Sequence, residues 1–477
     1  MTAVLMLFLS FLLKTVGQAF LIVSAVLFIA AGAAFLSLSD NRGGFLMCLV
    51  LFLYCLKTVS VMTGDIAYAR SISGKTDCIN ATVITAPVNI GDNSYGYCTV
   101  KINFSSDGVL KKGAEISLFA EGTGNLEIGD LLECEVAYSS FDREYALSNY
   151  SDGIYLRGVC KNGVICLGKS RGVYGFAGRI RSYVMNRIVS CSDNYHILLS
   201  MITGERGYIS SELYGRVIDA GVSHILVVSG MHLALLCGGL ERFFRLICRK
   251  ALLRDIIVLI FVFIMSVICG FGMSILRAAI VYAVRILYRI IGRRQSSVHS
   301  LSLAVVLVLL IHPYAFHSLA FQLSYSATFG ILVLSKRFDR RLSRFAHRGT
   351  LARNVAKALS VSLSAYIATL PVCTAAFGKL SLVAVPVNIL LSIPSSLMLS
   401  LCVMGIALGF IPFLERLFIM LADILADYFI KTVDFASSLS FATFIIRNER
   451  LLTVGVLLCY LLIYIVKTKP YRVLKKR

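Results

Sequence analysis

The feature that most constrains the fold is a long run of residues without charge. Gln295 to Ser335 spans 41 residues with no Asp, Glu, Lys or Arg, and Ile256 to Leu276 is a second such window. About 20 apolar residues suffice to cross a bilayer, so the longer window predicts a helical hairpin. His312-Pro313 breaks a helix and predicts the turn of that hairpin at HPYAFHS. Only 15% of the chain is charged, against about 25% in soluble domains, which indicates an integral membrane protein.

A polar region interrupts this apolar pattern between residues 64 and 170. Short alternating runs such as YGYCTVKINF and DLLECEVAYSS are separated by turn signals such as SSDG and GTGN. Five or six strands in about a hundred residues predict a small barrel or sandwich, with an OB-like barrel as one option. Asp65 to Lys161 carries 8 basic and 13 acidic residues. The net charge of 8 − 13 = −5 argues against a surface that traps DNA by charge alone.

The excess of basic residues lies in loops beside the apolar segments. The chain has a net charge of +21, and Lys336 to Lys357 holds eight Lys and Arg against one Asp. Basic loops next to spans mark the cytoplasmic side of a membrane. We therefore interpret the charge as topology rather than DNA contact. It predicts a multi-pass protein with an extracytoplasmic β domain and a cytoplasmic C-terminus.

Together these patterns predict a polytopic α-helical membrane protein of about 10–11 transmembrane or re-entrant helices with a small inserted β domain. We expect N-terminal transmembrane helices in residues 1–63 and the β-rich domain in 64–170. A further transmembrane domain is expected in 171–450, and a final transmembrane helix with a basic tail in 451–477. The segments GFAGRIRSYVMNRIVSC and GERGYISSELYGRVIDAG mix charged and apolar residues at helical spacing. They predict helices that lie along the outer membrane surface.

The stretch GVSHILVVSGMHLALL, residues 221–236, carries polar groups at membrane depth. His224, Ser229, Gly230 and His232 are costly there, which makes the stretch a functional candidate within a span that starts near Ser223. Ser229 and His232 are i,i+3 neighbours, but no third group that would orient a hydrolase pair is apparent. One metal cannot join both imidazoles across an ideal helix unless Gly230 breaks it. Close packing at Gly230 with hydrogen bonds across helices, and a direct role in transport, both remain open.

Further polar residues and prolines interrupt the later apolar segments. Arg277 lies at the start of a span, where it either faces a lumen or snorkels toward the headgroups. Gln322 and Ser324 form a polar patch on an apolar helix, as pore lining or as contacts between helices. Pro386 and Asn388, with Pro394 beyond them, predict a broken helix that contributes to a gate.

Read in order, these segments resemble the ComEC competence family. GVSHILVVSGMHLALL is similar to its signature stretch, and TGERGYISSELYGRVIDAG, headed by Gly204, Glu205 and Arg206, to the segment before it. SILRAAIVYA, HPYAFHSLAFQLSYSAT and ATLPVCTAAFGKLSLVAVPVNILLSIP follow in the family's order, and FDREYALSNYSDGIYLRG resembles the end of its external domain. The resemblance implies a bacterial inner-membrane channel that admits single-stranded DNA during natural transformation. It also implies a DNA receptor and a cytoplasmic translocation ATPase as partners, with a homo-oligomer left open.

The chain also departs from many members of that family, which carry a metallo-β-lactamase-like domain after the spans. No two of its seven histidines lie one residue apart, so we expect a short form without that nuclease, without metal and without catalytic residues. No phosphate loop is present, so no cofactor is expected. The alternatives are a transporter or channel for another anionic or lipidic substrate, or, more weakly, an intramembrane Ser/His hydrolase. In the β region, the Cys160–Cys166 spacing permits a bridge between paired strands.

Overall fold

A computed structural model describes residues 6, 21, 23–31, 42–89, 95–123, 126–205, 207–270, 273–292, 297–344 and 349–445. Within these residues the chain is mostly helical, with one β domain toward its N-terminus. The predicted fold class, a helical membrane protein with an inserted β domain, is confirmed. Most of the first predicted span, Met1–Leu13, and the whole predicted final helix and tail at 451–477 lie outside the described residues.

The helix before the β domain combines three segments. Helix α1 (Arg42–Ser60) passes into a π-helical turn (Val61–Ile66) and then into α2 (Ala67–Ile72). Phe45–Ile72 is a helical stretch of 28 residues, long and apolar enough to cross a bilayer. Ala69 and Ile72 at its end lie in the hydrophobic core of the β domain. The chain therefore runs from a candidate span directly into the β domain.

Seven strands of one sheet build the β domain. They are β1 (Thr76–Val83), β2 (Val88–Asn89), β3 (Tyr95–Ser105), β4 (Glu115–Glu121), β5 (Asp130–Ser139), β6 (Arg157–Cys160) and β7 (Ile165–Lys169), with helix α3 (Arg143–Ser151) between β5 and β6. The strands follow the order β1-β3-β4-β6-β5, and β1 also pairs with β5, so five strands close into a ring. β4 and β6 run parallel and the other neighbours antiparallel. This closed barrel agrees with the OB-like option.

Alternation of apolar and polar residues explains the barrel core. Along β5, buried residues such as Leu132, Cys134 and Val136 alternate with more exposed ones, as one face of a strand requires. Their side chains join those of β1, β3 and β4 in one hydrophobic core. The bridge that the Cys160–Cys166 spacing permits is not formed. Both thiols are free, because β6 and β7 each pair with β5 and not with each other.

The remainder of the described chain is helical apart from one short strand pair. The helices are α4 (Val173–Val189), α5 (Tyr195–Thr203), α6 (Ser211–Asp219), α7 (Gly230–Ile247), α8 (Ala251–Ile268), α9 (Met273–Ile290), α10 (Ser297–Ile311), α11 (Leu319–Leu342), α12 (Thr350–Phe377), α13 (Ala384–Ala407) and α14 (Pro412–Ser438). Strands β8 (Lys379–Ser381) and β9 (Thr443–Ile445) pair antiparallel. Short 3-10 turns cover Ser223–Leu226 and Ala315–His317.

Four described helices are long and apolar enough to cross a membrane. They are Phe45–Ile72, Ala251–Ile268, Ala352–Phe377 and Ala384–Ala407, and Ser297–Ile311 is a shorter apolar helix. The turn predicted at HPYAFHS is confirmed, since α10 ends at Ile311 and α11 begins at Leu319. The break predicted at Pro386 and Pro394 is wrong. Helix α13 is continuous because Pro386 lies in its first turn, where a missing N–H costs little, and Pro394 is accommodated inside it.

The chain divides into two compact units. The first comprises Met1–Ser210, His224–Phe321 and Pro394–Tyr428, and the second comprises Ser211–Ser223, Gln322–Ile393 and Phe429–Arg477. Within the first unit, α7, α8 and α9 pack against one another and α4 packs against α8. Within the second, α6 and the end of α12 pack against β8.

Candidate functional site

The signature stretch does not form one continuous helix. A 3-10 turn covers Ser223–Leu226, and α7 begins at Gly230 with Ser229 as its N-cap. The expectation of a helix that starts near Ser223 is therefore wrong. The reason is local: the Ser229 hydroxyl accepts a hydrogen bond from the His232 backbone N–H at 3.3 Å and so caps the first turn of α7.

The His232 side chain completes a reciprocal capping box. Its Nδ1 accepts from the Ser229 backbone N–H at 3.4 Å, where a Glu or Gln more often serves. Each of these i,i+3 neighbours thus accepts a hydrogen bond from the backbone N–H of the other residue, and the two side chains do not bond each other in this pair of contacts. A Ser-His nucleophile needs a hydrogen bond from the hydroxyl to the imidazole. The arrangement is that of a helix start rather than of a hydrolase.

Gly230 allows a buried arginine to approach the start of α7. A Cβ built on Gly230 would lie 3.2 Å from a terminal nitrogen of Arg277 and 3.8 Å from the Cβ of Ala278. Arg277 is only 8% exposed, so it faces the protein and does not snorkel outward. Its charge lies beside the positive end of the α7 dipole, an arrangement that favours a nearby anion.

The two histidines of the stretch have different surroundings. His232 is buried, whereas His224 is exposed in the 3-10 turn before the helix. Among the described residues, no group of three or more His, Cys, Asp or Glu could hold a metal ion. The two imidazoles therefore do not form the core of a metal site in this part of the chain.

The segment before the signature stretch is held by a buried arginine. Gly204 ends α5 in the left-handed conformation, with φ +80°, and turns the chain toward Glu205. The Glu205 carboxylate pairs with Arg181 of α4, which is only 4% exposed and donates to the Ile268 carbonyl at 3.2 Å. Burial raises the pKa of Glu205, although the Arg181 charge opposes that effect. Arg206 lies outside the described residues.

The remaining predicted site residues belong to the second unit. Gln322 and Ser324 are half-buried on α11. The Asn388 side chain donates to the Ser362 hydroxyl of α12 at 2.9 Å, which ties α13 to α12 close to Pro386. The roles expected for Gln322, Ser324 and Asn388, as pore lining, links between helices or part of a gate, stay predictions.

Sequence reasoning missed a buried ion-pair cluster in the first unit. Arg289 near the end of α9 pairs with Asp255 of α8 and, at 3.3 Å, with Glu241 of α7. Both carboxylates are buried. An acid within an apolar or basic segment signals such a cluster, because a charge at that depth needs a partner. Asp255 in ALLRDIIVLIF carries that signal.

A cavity of about 340 Å³ lies where the β domain meets α4. Its walls include Glu127, Arg181, Ser182 and Tyr208. None of the predicted site residues lines it, although Arg181 at its edge pairs with Glu205. This polar junction is a feature that the sequence did not indicate.

Comparison with known proteins places these residues in a family. The sequence model of the family described as "Competence protein" matches residues 201–470. Over 202 residues, 42% of this chain, the sequence is 27% identical to ComE operon protein 3 of Bacillus subtilis, covering 24% of that protein. Over 124 residues, 26% of this chain, it is 27% identical to an uncharacterised protein of Mycoplasma pneumoniae, covering 32% of it. No solved structure matches the chain.

The chain thus spans a third or less of the length of either relative. The family match is broader, because it covers more than half of the chain and includes the signature stretch, Arg277, Gln322 and Asn388. With its apolar helices, the chain is a multi-pass membrane protein. It belongs to the Competence protein family.

Proposed function

We propose that this protein is an inner-membrane channel that takes up single-stranded DNA during natural transformation. The observation that carries the proposal is the family match over residues 201–470, which contains the predicted channel residues. A DNA receptor and a cytoplasmic translocation ATPase are the partners that such a channel requires. The protein itself then needs no enzymatic activity, since it guides the strand and others bind or pull it.

The start of α7 supports this function physically. A single strand carries one negative charge per nucleotide, so a path through a membrane must offer it positive groups. Arg277 and the α7 N-terminus provide positive charge at one point of the first unit, and Gly230 keeps them in contact.

A transporter for another anionic or lipidic substrate is the second candidate. The same positive site favours it, because Arg277 and a helix N-terminus attract any anion. The two candidates differ in what deletion of the gene removes. Loss of DNA uptake supports the channel, whereas normal DNA uptake with a change in another solute supports the transporter.

The test uses a deletion strain of the native host complemented with single variants. Gly230→Leu should reduce internalised labelled DNA by about tenfold or more, because the larger side chain displaces Arg277 from the start of α7. Gly238→Leu is the matched control, since a Cβ at Gly238 on the same helix meets nothing within 4 Å. Uptake is corrected for the amount of membrane-inserted protein.

Three results distinguish the proposed function, the role of the site around Gly230, and chemistry at the capping box. Normal DNA uptake in the deletion strain contradicts the proposed function itself. Loss of uptake on deletion, but normal uptake with Gly230→Leu at normal protein level, contradicts only the role of this site. Equal and near-total losses for Ser229→Ala and His232→Ala, with uptake retained in Gly230→Leu, would favour chemistry at the capping box.

A further inference from the structure

Three arginines meet at one end of the helix group α7–α9. The guanidinium of Arg245, near the end of α7, lies 3.5 Å from the Glu241 carboxylate. Those of Arg285 and Arg289, near the end of α9, lie 3.9 and 3.3 Å from the same carboxylate. Glu241 is buried. The fold therefore brings three positive groups from two helices to one buried carboxylate.

The acids at this point do not neutralise the arginines. Asp255 of α8 pairs with Arg289, and with Glu241 it completes the acidic residues of α7, α8 and α9. Three guanidiniums against two carboxylates leave a surplus of one positive charge. The side chains of Arg245 and Arg285 are 63% and 48% exposed. Because a guanidinium carries several N–H donors, these two can bind a further anion from outside.

Large apolar side chains are exposed on the same helix turns. Leu246, which follows Arg245, is 87% exposed, and Ile290, which follows Arg289, is exposed as well. Exposed apolar side chains beside polar ones mark surfaces that contact protein, ligand or lipid. Positive and apolar groups side by side match the two parts of a phospholipid, its phosphate and its acyl chains.

The arginine cluster lies at the end of the helix group that its basic loops predict to be cytoplasmic. A short loop joins the end of α7 to the start of α8, and Arg289 near the end of α9 pairs with Asp255 in the first turns of α8. The three ends therefore lie together. The sequences RLICRKALLR and RIIGRR cover them, and such basic segments mark the cytoplasmic side. Basic pockets between spans on that side bind anionic lipid headgroups.

We propose that Arg245, Arg285 and Arg289 form a binding site for the phosphate of an anionic phospholipid of the phosphatidylglycerol class. The acyl chains of the lipid lie along the exposed apolar side chains of the same turns. A planar guanidinium binds phosphate as it binds the Glu241 carboxylate, because both anions offer it two oxygens. Glu241 thus holds the arginines together when no lipid is bound. The site depends neither on the proposed DNA path nor on the substrate that the protein carries.

The test compares two double variants of the purified full chain that lose the same charge. Arg245→Gln, Arg285→Gln removes the two exposed arginines of the site and leaves Arg289 beside the buried Asp255. The control is Arg242→Gln, Arg249→Gln, at exposed positions near the same end of α7. Arg242 lies about 100° around the helix from Glu241. Native mass spectrometry measures the lipid retained as phosphatidylglycerol or phosphatidylcholine is titrated into the detergent micelles.

The unsubstituted protein should bind its first phosphatidylglycerol at least about tenfold more tightly than phosphatidylcholine, because phosphatidylcholine has no net negative charge. Arg245→Gln, Arg285→Gln should weaken phosphatidylglycerol binding by about tenfold or more, and the control by less than about threefold. Both variants should melt close to the unsubstituted protein, since exposed ion pairs contribute little to stability. Arg285→Gln alone, which removes the longest of the three contacts, should give a smaller loss in the same direction.

Three results would overturn the proposal. Equal losses in the two double variants would mean that the whole basic end attracts lipid without a defined site. Equal affinities of the unsubstituted protein for the two lipids would mean that the arginines do not select an anionic headgroup. Displacement of the bound phosphatidylglycerol by a short single-stranded oligothymidylate would assign the arginines to a nucleic acid rather than to a lipid.

Discussion

At the scale of single residues, Gly221 is a position in the second unit where an added methyl group should be costly. Its φ of +73° is one that side chains rarely adopt, and a Cβ would lie 2.4 Å from the Cβ of Ala384 and 2.9 Å from Ser381. Strain and overlap together should lower the free energy of unfolding by about 1–3 kcal/mol in Gly221→Ala. The measurement is thermal unfolding of the purified protein in detergent.

Gly215→Ala on the adjacent helix α6 is the matched control. A Cβ there meets nothing within 4 Å, and Ala in a helix is favoured over Gly by about 0.5–1 kcal/mol. We therefore expect an unchanged or slightly higher melting temperature for this variant. If Gly221→Ala melts no lower than Gly215→Ala, the close contact with α13 does not exist in the protein.

The signature stretch marks what single residues reveal before a structure is known. The i,i+3 spacing makes Ser229 and His232 neighbours on a helix, and Gly230 permits a close contact. The spacing does not reveal that Ser229 is a cap, because S-G-M-H lacks the Glu or Gln by which a capping box is usually recognised. The sequence also does not predict that Gly230 contacts Arg277, since Arg277 lies on a different helix.

At the scale of elements, the ends of α7, α8 and α9 are held together by charge. Arg289 joins Asp255 and Glu241, and both acids are buried. Removing Asp255 leaves the partly exposed Arg289 with Glu241 alone, and the loss of a hydrogen bond to a buried charged group costs about 1.5–3 kcal/mol. Asp255→Ala should therefore lower the melting temperature in detergent strongly. It should also make the loop between α7 and α8 more sensitive to protease.

An exposed ion pair provides the comparison for that cluster. Glu212 pairs with Arg216 one turn later on α6, with most of the Glu212 side chain in water. Such pairs contribute at most about 1 kcal/mol, so Glu212→Ala should leave the melting temperature almost unchanged. Equal effects of Asp255→Ala and Glu212→Ala would mean that Asp255 is not buried in the protein.

Sequence patterns predicted the strands of the barrel correctly but not the continuous helix α13. The period-2 alternation of β3 and β5 suffices to predict a small barrel, because one face of each strand fills the core. Prolines misled the prediction for α13, where Pro386 and Pro394 suggest a break and the helix is continuous. Proline in a first turn loses no hydrogen bond, and neighbouring helices can satisfy the groups freed by an internal one.

At the scale of the whole molecule, composition and uncharged windows determine the class of protein but not its long-range contacts. The bond from Arg181 to the Ile268 carbonyl joins residues 87 positions apart. The ion pair between Arg187 and Glu415 joins residues that are still farther apart in the sequence. The helical or strand periodicity of the sequence does not predict such pairs, because each partner is one basic or acidic residue among many. These contacts of α4 therefore required the structure.

The orientation of the β domain is the whole-molecule prediction that basic loops support and that native cysteines can test. Cys78 and Cys166 are exposed on the barrel, whereas Cys248 lies half-buried between α7 and α8, in the predicted cytoplasmic loop RLICRKALLR. With an extracytoplasmic barrel, a membrane-impermeant maleimide added to intact, mildly reduced cells should modify Cys78 and Cys166 and spare Cys248. Permeabilised cells should show modification of all three, with each peptide identified by mass spectrometry.

The double variant Cys78→Ser, Cys166→Ser should lose the signal from the barrel and leave that from Cys248 unchanged. Modification of Cys248 but not of the barrel in intact cells would invert the topology, since the reagent reaches only the outer side.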